Sequence, residues 1–197
     1  MIKNIIFDCA DTLLHFYYVD CLAERTKKDK RQIANVLRSF MGTQAWGDFD
    51  NGKLTEKEVA DALLPTLAKE DREIAQTFLS EFTDYFFMID GTPALLAQLK
   101  QKGYQLFLLS DFPAKFASLR QRFDIFDLFD KLVVSYQYGV SKRDHGLFAR
   151  LLEECHLDPN ECMFFDDIAA NVEAAASFGI HGVVYTGVDS VRNALGL

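Results

Sequence analysis

Five short apolar runs, each ending at a polar or turn residue, constrain this chain more than any other feature. The first is Ile2–Phe7, where Ile2, Ile5, Ile6 and Phe7 are apolar and Asp8 ends the run. The others come much later: Gln105–Leu109 (QLFLL), Lys131–Ser135 (KLVVS), Cys162–Phe165 (CMFF) and Gly182–Tyr185 (GVVY). Near-continuous apolar runs of this length mark strands covered on both faces, as in parallel sheets. Helical patterns lie between them. Leu95, Leu96 and Leu99 share one face ahead of Gly103, and Phe148, Leu151, Leu152 and Cys155 follow the i, i+3, i+4, i+7 rule. The Ala-rich segment Asn171–Phe178 stops at Gly179. Strand–helix alternation of this kind predicts a doubly wound α/β parallel sheet with right-handed crossovers.

The stretch from His15 to Met88 breaks the rhythm and contains no convincing strand. Ile33, Val36, Leu37 and Phe40 give one amphipathic helix. Thr55-Glu56-Lys57-Glu58 matches a capping box, with Val59 and Leu63 following on one face. The aromatic Phe78–Phe87 region reads as another helix, and Asn51-Gly52 as a turn between helices. A helical unit of about 70 residues therefore interrupts the α/β core after its first strand, and a chain of 197 residues is long enough for both.

Bulk properties exclude several classes of function. The formal net charge of −8 repels nucleic acid and anionic membranes, so neither is expected as a partner. A phosphate ester would be repelled too, unless its site carries local cations. No apolar run approaches the ~20 residues of a membrane span. Met1–Phe7 is too short for a signal peptide. Cys9, Cys21, Cys155 and Cys162 form no CxxC and read as reduced thiols of a cytoplasmic protein. With 18 Phe and 1 Trp, the core must be packed largely with Phe rings.

In open α/β sheets, ligands bind beyond the carboxyl ends of the strands. The first strand delivers Asp8 and then Thr12; the second, Ser110 and Asp111. The third leads to Gly139, Ser141 and Lys142, and the fourth delivers Asp166 and Asp167. Clustered carboxylates repel one another unless a cation joins them, and Mg²⁺ with oxygen ligands is the economical choice. A nearby lysine and hydroxyl can then hold phosphoryl oxygens, and one carboxylate can attack phosphorus.

These residues carry a resemblance to a known family. Ile5-Ile6-Phe7-Asp8-Cys9-Ala10-Asp11-Thr12-Leu13 resembles the hhhDxDGT(L/V) first motif of the haloacid dehalogenase superfamily. Leu108-Leu109-Ser110-Asp111 resembles the second motif, and Lys142, in the setting Gly139-Val140-Ser141-Lys142, the third. Phe164-Phe165-Asp166-Asp167, with Asn171 four residues on, resembles the acidic fourth motif. The helical insertion matches the position of the family's helical cap. The resemblance spans essentially the whole chain and is similar to small sugar-phosphate phosphatases. It implies a Rossmann-like core over 1–14 and 89–197, a cap over 15–88, and a sheet order of fifth, fourth, first, second, third strand. It also implies roles. Asp8 is nucleophile and Mg²⁺ ligand; the Ala10 carbonyl and Asp167 are further ligands; Asp166 binds weakly or through water. Ser110 and Lys142 hold the phosphoryl oxygens, Thr12 contributes to substrate binding, and Asn171 supports the acidic loop.

Three departures stand out. The family usually places an acid/base Asp two residues after the nucleophile, where this chain has Ala10, and Asp11 takes the usual glycine position. Family members that lack this Asp carry Tyr in dehalogenases, Ala in phosphonate hydrolases and Gly in certain sugar phosphatases. The third motif also lacks its common proline, since Arg143 follows Lys142. The leading expectation is a Mg²⁺-dependent phosphatase acting on a small phosphomonoester, a sugar phosphate among the candidates, through an aspartyl-phosphate on Asp8. A metal-free dehalogenase is the second enzyme reading, against which the paired Asp166-Asp167 stands. A binding or regulatory protein with little turnover is the third, supported by Ala10. His15, Tyr17, Tyr18 and Trp46 are open between packing and substrate contact, and Cys9 reads as a packed small residue.

Overall fold

The computed structural model describes residues 1–197. Strand β1 (Asn4–Phe7) is followed by a short β2 (Leu14–Phe16) and five helices: α1 (Tyr18–Thr26), α2 (Lys30–Met41), α3 (Gln44–Asp50), α4 (Glu56–Leu63) and α5 (Arg72–Ser80). Then come β3 (Phe86–Met88), α6 (Thr92–Gln101), β4 (Gln105–Ser110), α7 (Phe116–Arg122), β5 (Lys131–Val134), α8 (Gly146–Cys155), β6 (Cys162–Asp166), α9 (Ala169–Ser177), β7 (His181–Val184) and α10 (Val188–Leu195). No helix is long and apolar enough to cross a membrane.

The main sheet has five strands in the order β5-β4-β1-β6-β7, all neighbours parallel. This is the expected α/β architecture and the expected order. Register decides what the sheet can do. Phe7 stands level with Leu108 on one side and Phe165 on the other. Asp8 and Asp166, one residue on, and Ser110, two past Leu108, therefore lie together at the carboxyl end of the sheet. Period-2 alternation divides the strands between two apolar layers. Ile6, Phe107, Leu109, Val133 and Phe164 pack with Leu147, Phe148 and Leu151 of α8. Ile5, Phe7, Leu106, Leu108 and Phe165 pack with Leu95, Leu96 and Leu99 of α6, in a cluster that runs on into α1–α5.

The expected helix caps and stops are in place. Thr55 makes the complete capping box with Glu58. Helix α2 buries Ile33, Val36, Leu37 and Phe40. Gly103 and Gly179 adopt positive φ just past α6 and α9. Rings join the helical unit to the sheet: Phe82 lies 5.3 Å from Phe112, and Phe112 5.5 Å from Phe116. A polar clasp adds to them. The Ser135 hydroxyl donates to the Asp50 carbonyl at the end of α3 (2.6 Å) and accepts from the Phe112 N–H (2.9 Å). Beside it Gly52 sits at φ +69°, so close to Tyr136 that a Cβ would lie 2.5 Å from its carbonyl oxygen.

Two expectations need correction. The stretch from His15 to Met88 does contain strand: β2 and β3 pair antiparallel, His15 opposite Phe87 and Phe16 opposite Phe86. Three-residue strands are too short for a period-2 signal to register. Phe78–Phe87 is not one helix either. Helix α5 stops at Ser80, a 3₁₀ turn covers Phe82–Tyr85, and β3 begins at Phe86. The dense aromatics there serve packing rather than a single helical face, with Phe16 stacked on Phe86 at 4.3 Å.

Candidate active site

The end of β1 carries the site because the sheet pairing runs one residue past the strand. The Asp8 N–H donates to the Phe165 carbonyl (2.9 Å), which holds Asp8 beside Asp166 at the tip of β6. Between them lies Lys142, from the loop before α8. Its Nζ donates to Asp8 Oδ1 (2.6 Å) and to Asp166 Oδ2 (2.7 Å), and its side chain is 3% exposed. A buried ammonium shared by two carboxylates is among the stronger charge-assisted arrangements.

Hydrogen bonds from the surrounding segments fix these groups. Asp166 is fully buried and its oxygens are all engaged: Asn171 Nδ2 reaches both (3.1 and 2.9 Å), and the Ile168 N–H reaches Oδ1 (2.8 Å). Asn171 thus lies where the resemblance put it, under the acidic loop. The Asp111 carboxylate accepts the Lys142 backbone N–H (2.9 Å), tying the lysine loop to the end of β4. No role for Asp111 was readable in the sequence, since nothing in the spacing of residues 111 and 142 announces the contact. Ser110 is buried at the tip of β4, and Thr12 is buried with a hydroxyl that has no hydrogen-bond partner.

Asp8, Asp166 and Asp167 present carboxylate oxygens within 4.8 Å of one another. Three carboxylates against one ammonium leave two negative charges unbalanced. Burial raises the Asp8 carboxyl above the usual range; Lys142 draws it down and Asp166 pushes it further up. Asp167, half-exposed, is pushed up to about 6 by burial and then by Asp166 and Asp11. Burial alone would lower the Lys142 ammonium, but Asp8, Asp166 and Asp111 together raise it. The strain on the carboxylates is what a divalent cation relieves. Oxygen-only donors at this spacing and charge fit Mg²⁺.

Ala10, half-buried, pairs in an isolated bridge with Leu14 and brings no side-chain acid. Asp11 does not stand in for one. Its backbone sits at φ +52°, the left-handed region that a glycine would favour, and its carboxylate accepts the Phe16 N–H (3.0 Å). Of the aromatic residues left open, Trp46 is buried against Phe40, Phe49, Phe78 and Phe82 and is a packing residue. Tyr18 packs on Phe16 and Phe78, whereas Tyr17 is exposed. Cys9 is fully buried, and burial raises its thiol well above the usual range, as suits a packed residue.

A family model described as haloacid dehalogenase-like hydrolase matches residues 2–179. The drimenol cyclase drtB of Aspergillus calidoustus is 27% identical over 199 residues; the match takes in 99% of this chain but 36% of that longer protein. The sesquiterpene phosphatase astK of Aspergillus oryzae is 28% identical over 151 residues, 76% of each chain. The D-ribitol-5-phosphate phosphatase of Bacteroides thetaiotaomicron is 24% identical over 190 residues, 91% of this chain and 89% of its own. A HAD family enzyme of the same bacterium, solved with magnesium and inorganic phosphate, superimposes with a TM-score of 0.72 at 19% identity over 95% of this chain and 96% of that one. That likeness is one of fold.

Proposed function

The chain belongs to the haloacid dehalogenase-like hydrolases, and from that premise we propose that it is a Mg²⁺-dependent phosphatase of small phosphomonoesters, working through an aspartyl-phosphate on Asp8. The observation that carries this reading is the trio Asp8, Asp166 and Asp167 with Lys142 set between two of them. Two relatives named as phosphatases support it. We assign the core to 1–14 and 89–197 and the cap to 15–88. The free thiols are in keeping with a cytoplasmic setting.

In this reading Asp8, the Ala10 carbonyl and Asp167 would hold Mg²⁺, with Asp166 contributing weakly or through water. Bound there, the ion supplies positive charge to the phosphoryl oxygens. Lys142 and the Ser110 and Thr12 hydroxyls bind the remaining oxygens and orient phosphorus toward Asp8. An Asp8 oxygen forms a bond to phosphorus as the bond to the leaving oxygen breaks, and the leaving oxygen departs with the electron pair and takes its proton from water. Water then attacks the same phosphorus, which releases inorganic phosphate and restores the carboxylate. Excess chelator should abolish turnover of an aryl phosphate, and added Mg²⁺ should restore it. Full turnover in chelator would overturn the reading in favour of metal-free chemistry.

Ala10 supports a narrower claim. Protonating the leaving oxygen matters most for poor leaving groups such as sugar alkoxides. Without an acid at position 10, alkyl phosphates should lag activated ones by an unusually wide margin. Ala10→Asp should raise alkyl phosphate turnover by up to ~10²-fold and change aryl phosphate turnover far less. Steady-state rates on one substrate of each kind decide it: equal slowing of both would mean that the new carboxylate only adds repulsion. A binding or regulatory protein is the second reading, favoured by the same Ala10. It is upheld if no phosphate ester turns over in Mg²⁺.

A further inference from the structure

The two-stranded β2–β3 ribbon starts from the loop that begins at Asp8, through β2, and its two faces differ. Inward, Phe16 stacks on Phe86 at 4.3 Å and joins the aromatic core. Outward, the alternation places His15 opposite Phe87, with Tyr17 two residues beyond His15. The His15 and Tyr17 rings lie 4.7 Å apart and within 20° of parallel, and Tyr17 and Phe87 are 6.0 Å apart. Nothing in the fold covers this face: Tyr17 is 47% and Phe87 43% exposed. Apart from Met1 and Val184 of edge strand β7, the only other large apolar side chain so exposed is Ile168, at 53%, adjacent to Asp167. Asp11 links the ribbon to Asp8. Three residues past Asp8 in the chain, its carboxylate lies 3.9 Å from His15 Nδ1.

We propose that the outward shelf of His15, Tyr17 and Phe87 receives the leaving group of the substrate, and that this group is a planar aromatic alcohol rather than a polyhydroxylated one. The inference rests on the phosphomonoester reading above and names its substrate class. Two independent features converge on it. Stacked exposed rings match a flat π-face over its whole area, whereas a polyol meets them only through C–H groups and leaves most of its hydroxyls without protein partners. Ala10 brings no acid, and an aryl oxide is a leaving group that needs none. In the step itself, the Asp8–phosphorus bond forms as the phosphorus–oxygen bond to the ring breaks. The aryloxide departs with the electron pair and takes its proton from water.

The test compares two activated substrates that share the phosphoryl site: 2-naphthyl phosphate, which can stack, and acetyl phosphate, which cannot. Both are assayed with Mg²⁺ in the intact chain and in Tyr17→Ser/Phe87→Ser. In the double variant the ratio of kcat/KM, naphthyl over acetyl, should fall by about tenfold or more, mainly through the naphthyl KM. Tyr17→Trp/Phe87→Trp should keep the ratio of the parent. An unchanged ratio in the serine variant, with acetyl phosphate still hydrolysed, would overturn the shelf and leave the phosphatase reading standing. An unchanged ratio with an altered oligomeric state would give the face to a second copy of the chain instead. Hydrolysis of neither substrate by the parent would fail the phosphatase reading itself.

Discussion

Asp8→Asn should lower turnover of an aryl phosphate by at least ~10⁴-fold, the scale on which removing a nucleophile acts in other hydrolases. An amide neither attacks phosphorus usefully nor binds Mg²⁺ well. The fold should survive, and the metal-free variant should be at least as stable as the parent. The change is nearly isosteric, and Lys142 keeps its bond to Asp166 (2.7 Å). It also removes a buried carboxyl that burial and Asp166 hold above its ordinary range. The sign follows from linkage. A carboxyl raised on folding binds its proton more tightly in the native state, so its contribution weakens the fold as pH climbs from about 4 through the raised value. Asparagine has no such term. The melting temperature of the variant should therefore gain on the parent between pH 5 and pH 8. Retention of more than about a tenth of the parent turnover would mean that another group attacks phosphorus.

The sequence revealed the strands for a physical reason. β1, β4 and β6 are buried on both faces, so their apolar runs are continuous and end where the chain meets polar surroundings, at Asp8, Ser110 and Asp166. The edge strand β7 is less covered, and its bounds, His181–Val184, lie one residue earlier than its apolar run suggests. β2 and β3 were invisible because three residues cannot establish a period. Helix α7 buries only Phe116 and Leu119, too few to mark a face. At the site, the residue types were legible but their contacts were not. Lys142 meets Asp8 across 134 positions of sequence, and Asp111 meets the Lys142 backbone across 31. Such pairings are set by register and crossover rather than by any local pattern. The left-handed turn at Asp11 was foreshadowed by its place in the first motif, where a glycine usually stands.

Lys142→Met should cost both activity and stability, and the stability loss should depend on pH. The methionine keeps the length and apolar packing of the stem, including its position near the Phe164 ring. What disappears is the ammonium that contacts Asp8 and Asp166 at 2.6 and 2.7 Å. Both carboxylates are then buried with no cation against them, and breaking a buried pair from one side typically costs ~3–5 kcal/mol. Catalytically, the loss of one preorganised positive group should slow an aryl phosphate by ~10²–10³-fold even in saturating Mg²⁺. The pH dependence follows from Asp8. Burial and Asp166 already raise it, and the lysine is the main influence drawing it down. Without Lys142 it rises further, so the native variant takes up a proton that the unfolded chain releases near pH 4. Stability relative to the parent should thus be partly recovered at pH 5, where Asp8 is protonated, and lost as pH climbs toward 8. Denaturant midpoints without metal, read at both pH values, measure this directly. Mg²⁺ should then return part of the lost stability at pH 8, because it replaces the missing charge. A midpoint equal to that of the parent at pH 8 without metal would show that the two carboxylates do not need the lysine, and the charge argument for the site would fail with it.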